Sequence, residues 1–173
     1  MDQQNQYHPL PQPEEIDKRQ REDAMGAYLM MFAAIGAGLP LPILNLIAAV
    51  IYYFVNRHKS RFVHFHSLQS LLSQIPTSLL NAGAVFWFFR IFFGEPLDER
   101  EIGLPVFPNE FVGYVIMVGI VNLLYFVFSI IAAVKARQGR FYYLIFFGRV
   151  AYEQVYRIRE SASMAEARNL PPS

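Results

Sequence analysis

The chain has 173 residues, 54% apolar and 16% aromatic, and only 17% are charged where a soluble domain of this size carries about 25%. A net charge of +1 provides no strongly basic face for nucleic acid, and the absence of cysteine excludes a disulfide-stapled fold. Positions 24–56, 67–89 and 111–134 hold no Asp, Glu, Lys or Arg, a segregation that excludes wholesale disorder and argues for a membrane protein, since the hydrocarbon core needs runs of about 20 apolar residues.

Positions 1–23 read as a polar N-terminal segment. Up to Pro13 it is rich in Gln, Asn and Pro and is expected to be disordered. From Pro13 the run PEEIDKRQRED reads as a short surface helix, with Pro and two Glu where the first turn favours them. No basic start followed at once by an apolar stretch marks a cleavable signal.

A membrane domain is predicted over 24–148, an all-α, polytopic helical bundle. Its first run, 24–56, would span about 50 Å as one helix, whereas two full crossings need about 40 residues. Pro40 and Pro42 crowd the carbonyls of Gly36 and Gly38, so two short helices are expected, about 25–38 and 41–55, joined at a Gly/Pro bend. One kinked helix is the alternative. The hairpin is favoured by the flanks, because it puts Lys18, Arg19 and Arg21, the loop with Arg57, Lys59 and Arg61, and the tail from Lys135 on one side. Four hydrophobic helical elements with both termini cytoplasmic follow, in a bacterial inner membrane, with the acidic loop 90–110 outside.

The third element is predicted over 62–93. At 100° per residue His66, Ser70, Ser73, Thr77 and Asn81 fall within a band about 80° wide, flanked by Gln69 and Gln74. Such a stripe either packs against neighbouring helices through hydrogen bonds or lines a water-filled path. The fourth element is predicted over 110–136, with Asn122 as its one strongly polar side chain. Residues 149–173 read as an amphipathic interfacial helix with Arg149, Glu153 and Arg157 four apart, followed by a disordered tail.

The residues provide no case for catalysis. His64 and His66 lie about 200° apart on a helix and cannot share an ion, so no metal and no cofactor is expected. His66 is two turns or more from Ser73 and Ser78, about 10 Å of rise at the nearer, beyond a hydrogen bond, and the apolar runs hold no ionised group. The chain is therefore expected not to be an enzyme.

Pro42, then Phe62, Val63, Phe65, His66, Gln69 and Leu71, and later Ala133, Lys135, Ala136, Gly139 and Tyr142 follow a pattern of a Pro before an apolar helix, Phe-Val-x-Phe-His-x-x-Gln, and Ala-x-Lys-Ala-x-x-Gly-x-x-Tyr. In these residues the chain resembles a bacterial family of small integral membrane proteins described as similar to the Tic channel subunit of the chloroplast inner-envelope import machinery. The resemblance covers roughly 25–147 and implies four membrane helices. It supplies no ligand site, and the turn Asn56-Arg57-His58-Lys59 lacks the acid usual there. The leading expectation is a non-enzymatic scaffold or accessory subunit of a membrane complex, contacting the lipid bilayer and either copies of itself or other membrane proteins. Spacings of four at Ala33/Ala37, Ala34/Gly38 and Ala132/Ala136 suit close helix packing. The alternatives are a small pore or protein-translocation component using the polar stripe, and a lipid-interacting surface protein using the basic aromatic tail.

Overall fold

The computed structural model describes residues 7–32, 42–93 and 110–158, and among them the regular structure is helical, with no strand. Five α-helices follow in order: α1 (Lys18–Leu29), α2 (Pro42–Asn56), α3 (Arg61–Phe93), α4 (Glu110–Arg137) and α5 (Phe147–Tyr156). Short 3₁₀ turns at Pro13–Glu15 and Met30–Phe32 flank α1.

Two helices, α3 with 33 residues and α4 with 28, are long and apolar enough to cross a membrane. The expectation of four membrane elements is corrected accordingly. At 15 residues α2 rises only about 22 Å, short of the roughly 30 Å hydrocarbon core. The helix expected at 25–38 instead begins within the charged segment, at Lys18, and passes into a 3₁₀ turn at Met30. The Gly/Pro bend and the Ala33/Ala37 and Ala34/Gly38 pairs lie outside the described residues, as do 94–109 and 159–173.

Antiparallel packing of α3 on α4 follows from cross-helix contacts in which one number rises as the other falls. Asn81 meets Asn122, and further along Trp87 packs edge-on against Phe111 and tilted against Tyr114, at 5.8 and 5.7 Å between ring centroids. Ser60 starts α3, its Oγ accepting from Val63 N at 3.2 Å, an N-cap that satisfies one of the helix's open amides. In α4, Glu110 lies in the first turn and Lys135 and Arg137 in the last, the polarity a helix dipole favours.

The core lies at the basic ends of α3 and α4. There α1 lays Ala24 and Tyr28 against Phe62 of α3 and Ala132, Ala133 and Ala136 of α4. Small side chains on both helices permit this close approach. On the other flank α5 covers α3 through Ala151, Val155 and Tyr156 packed against Phe65 and Leu68. The apolar face of α5 is thus spent largely on protein. Arg149 Nε pairs with Glu153 Oε1 at 2.9 Å, and Arg157 lies one residue past the helix end.

Residues 7–16, read as a polar extension, are built into this assembly. His8 N donates to Tyr156 O at 2.8 Å, Tyr7 stacks on Tyr152, and Ile16 is 2% exposed in the core. Arg21 reaches back to the carbonyls of Ile16 and Pro13, at 2.8 and 2.6 Å, and ties the 3₁₀ turn to α1. The acid absent from the turn after α2 is supplied by α1, where Asp23 Oδ2 pairs with Lys59 Nζ at 2.8 Å.

Gly139 ends α4 at φ +73°, the left-handed geometry of a helix C-terminus, and Arg140 N donates to Lys135 O at 2.9 Å across the turn. A Cβ here would also stand 3.2 Å from Pro13 Cα. Gly139→Ala is expected to cost about 1–2 kcal/mol for the backbone conformation alone. The loss is to be read from denaturation in detergent, with Gly139→Asn, which tolerates the left-handed region, losing less.

Candidate functional site: a buried polar seam on α3

The stripe on α3 is closed inside the protein. His66, Gln69, Ser70, Ser73, Gln74 and Thr77 are all buried, and Asn81 is part-buried. Each has partners, and they change in order along the helix.

Nearest the basic end, Gln69 is fully enclosed and spends its amide three ways. Nε2 donates to Tyr28 Oη at 2.7 Å and to Tyr142 O at 2.9 Å, while Oε1 accepts from Leu144 N at 3.2 Å. One side chain therefore fixes α1 and the 142–144 backbone to α3. The Tyr28 hydroxyl accepts from Gln69 and shares a hydrogen bond with His66 Nδ1, 2.9 Å away. His66 Nε2 lies without a hydrogen-bond partner, in a ring packed beside Phe62, Phe65 and Phe141. His64 points elsewhere, to the Tyr53 hydroxyl at 3.1 Å.

At the next residue, Ser70 Oγ donates to Ala27 O of α1 at 2.8 Å and accepts from Gln74 Nε2 at 3.3 Å. Ser73 and Thr77 turn their hydroxyls onto their own helix, to Ser70 O and Gln74 O. At the far end the amides of Asn81 and Asn122 exchange two hydrogen bonds, 2.9 and 3.1 Å, and each also donates to the carbonyl four residues back in its own helix. Asn122→Leu leaves the Asn81 oxygen without this donor and is expected to lower stability by about 0.5–2 kcal/mol. A double-mutant cycle with Asn81→Leu measures the pair itself.

The motif residues of the sequence fall around the same seam. Phe62, Val63 and Phe65 are core side chains, Gly139 turns the chain out of α4, and Tyr142 offers its carbonyl to Gln69. Pro42 begins α2, and Lys135 lies in the last turn of α4. Ala132 and Ala136, both 0% exposed, form the floor under α1. Tyr28 and the 142–144 backbone had no signal of their own, being an aromatic inside an apolar run and a stretch of main chain. Outside the spans, burial pushes the phenols of Tyr143 and Tyr156 above their ordinary value, so both rings stay neutral.

These features define an integral membrane protein with two helices able to span the bilayer, clamped at one end by shorter helices and a polar seam. A model of the magnetosome magnetite crystal formation protein family (MamF/MmsF) matches residues 21–151, and the chain belongs to that family. The match overturns the resemblance to Tic-like proteins. The residues that carried the resemblance build the core, cap a helix or anchor a loop, tasks that any tightly closed helical bundle sets, and they do not distinguish a translocon. No curated protein and no solved structure matches the chain.

Proposed function

We propose that the chain is a non-enzymatic accessory protein of the magnetosome membrane that supports magnetite crystal formation as a helical scaffold. The family match over 21–151 carries this reading. The seam supports it, because its polar groups are spent on joining α3 to α1, α4 and the 142–144 backbone and leave little to line a path for water or a polypeptide.

Orientation follows from charge. Arg57, Lys59 and Arg61 flank one end of α3, and Lys135, Arg137 and Arg140 flank the end of α4 packed beside it. Basic flanks stay cytoplasmic, so positions 94–109, with four acids and one base, face the interior of the compartment. The outward faces of α2, α3 and α4, with Ile47, Ile51, Phe86, Phe89, Ile120 and Leu123 exposed, contact lipid, other membrane proteins or a second copy.

The test is deletion of the gene in a magnetosome-forming host, with crystals measured by electron microscopy. Crystals of altered size or shape inside membrane compartments that still form are expected, restored by the intact chain. Unchanged crystals overturn the proposal. A single cysteine placed between positions 94 and 109 should react with an impermeant reagent only after the compartment is opened, and reaction from the cytoplasmic side overturns the orientation.

A further inference from the structure

At the basic end of the bundle, away from the seam, a recess of about 140 Å³ opens between α1 and α4, lined by Lys18, Arg21 and Glu22 of α1 and Arg137 of α4. Three cations against one acid leave it with a net charge of +2. Lys18, Arg21, Glu22 and Met25 share one face of α1, and Arg137 lies along that face with Nη1 3.8 Å from Met25 Sδ. Arg21 is fixed by its bonds to the Ile16 and Pro13 carbonyls, both neutral acceptors. Lys59 and Arg149 each hold a carboxylate at 2.8 and 2.9 Å, but among the described residues neither Arg21 nor Arg137 pairs with one. Glu22, the acid in the recess, reaches Lys18 only at 4.0 Å, with both side chains exposed. Lys18 also lies in the first turn of α1, at the end of the helix dipole that repels cations. Positive charge is therefore gathered here and left uncompensated.

We infer that this recess binds the phosphodiester headgroup of an anionic phospholipid. The chemistry it selects is a phosphate oxygen anion, because a guanidinium presents its donors in a planar fork that matches phosphate. Its level along α4 favours the lipid over free phosphate. Val134 ends the charge-free stretch of α4, and Arg137 follows about 4.5 Å along the axis, within the headgroup layer that flanks the hydrocarbon core. Ile130 and Val134, seven and three residues before Arg137 on the same side of α4, are exposed and offer the acyl chains an apolar track directly below the recess. A zwitterionic headgroup would bring its own cation into a recess already at +2. Nucleotides and other small metabolites are too large, since sites for small molecules run to about 300–1,000 Å³. Basic pockets at the ends of membrane helices hold anionic headgroups in this way.

The inference stands apart from magnetite formation and is tested without crystals. The full chain, stripped of lipid in dodecyl maltoside, is titrated with dioleoyl-phosphatidylglycerol while native mass spectrometry counts the bound lipid. Dioleoyl-phosphatidylcholine and inorganic phosphate form separate arms. A single phosphatidylglycerol should bind saturably, about tenfold more tightly than phosphatidylcholine, and excess inorganic phosphate should not displace it. Lys18→Gln/Arg137→Gln should weaken binding about tenfold. Arg149→Gln/Arg157→Gln removes the same charge from α5 and the residue after it, and should bind as the original chain does. Glu22→Gln breaks only the exposed 4.0 Å pair, should tighten binding about threefold, and reports on the recess if the double variant fails to fold. Equal affinity for the two lipids, equal losses in the two folded double variants, no tightening in Glu22→Gln, or displacement by inorganic phosphate would each overturn the assignment.

Discussion

Gln69→Leu is expected to be the most damaging single substitution in the described part of the chain, lowering stability by about 3–5 kcal/mol. Leucine fills nearly the same space, so the loss is polar. Tyr142 O and Leu144 N lose their Gln69 partner, and the Tyr28 hydroxyl loses its donor. Each orphaned buried group costs about 1–3 kcal/mol, more than the modest net value of the hydrogen bond it once made. Gln69→Glu separates the terms, because a carboxylate still accepts from Leu144 N but cannot donate to Tyr142 O or Tyr28. It should fail by a similar margin, with the added cost of a buried charge.

The measurement is denaturation in detergent, followed by circular dichroism, together with limited trypsin digestion. Released from Gln69, the 140–148 segment should open before the helices unfold, so cleavage after Arg140 and Arg149 should accelerate ahead of global loss. If Gln69→Leu melts within about 1 kcal/mol of the original chain, the clamp is not a keystone and the seam's energy is spread along α3.

Much of this arrangement was written in charge and periodicity. The two uncharged stretches at 67–89 and 111–134 mark α3 and α4, and the polar band from His66 to Asn81 marks the face that α3 turns inward. Sequence periodicity tells that a face is polar and leaves open what satisfies it. Its partners are a tyrosine from an apolar run, a backbone carbonyl and amide some 75 positions away, and one asparagine, of which only Asn122 stands out by composition. The continuity of α1 is hidden for a different reason. Its buried face rests on Ala24, Ala27 and Tyr28, too few apolar positions to join the charged surface helix expected from Pro13 to the apolar helix expected from 25, although Lys18–Leu29 is one helix. Apolar composition points to four membrane elements because it does not reveal helix length, and α2 is apolar without being long.

Gly148→Val should be the second most damaging change, costing about 3 kcal/mol, the upper end of what overpacking a well-filled core costs. Gly148 lies in the first turn of α5, two residues after Phe146, whose φ of 66° turns the chain sharply into the helix. A Cβ on Gly148 would stand 2.7 Å from both Gln69 Oε1 and Tyr143 Cα, and 2.8 Å from Tyr143 Cβ. Two of these three atoms belong to residue 143, main chain or next to it, and cannot swing aside. The third is the oxygen that accepts from Leu144 N, so even the alanine variant must displace the clamp to fit. Glycine is needed here for close approach, since α5 can dock on α3 only where the loop passes almost in contact with the helix. Gly148→Ala should therefore lose part of the stability that Gln69→Leu loses, and the two losses should not add. In the double variant the Gln69 oxygen is already gone, leaving only the clash with Tyr143, so a coupling of about 0.5–3 kcal/mol is expected. Strict additivity would mean that Gly148 and Gln69 act independently and that α5 is held by its packing on Phe65 and Leu68 alone.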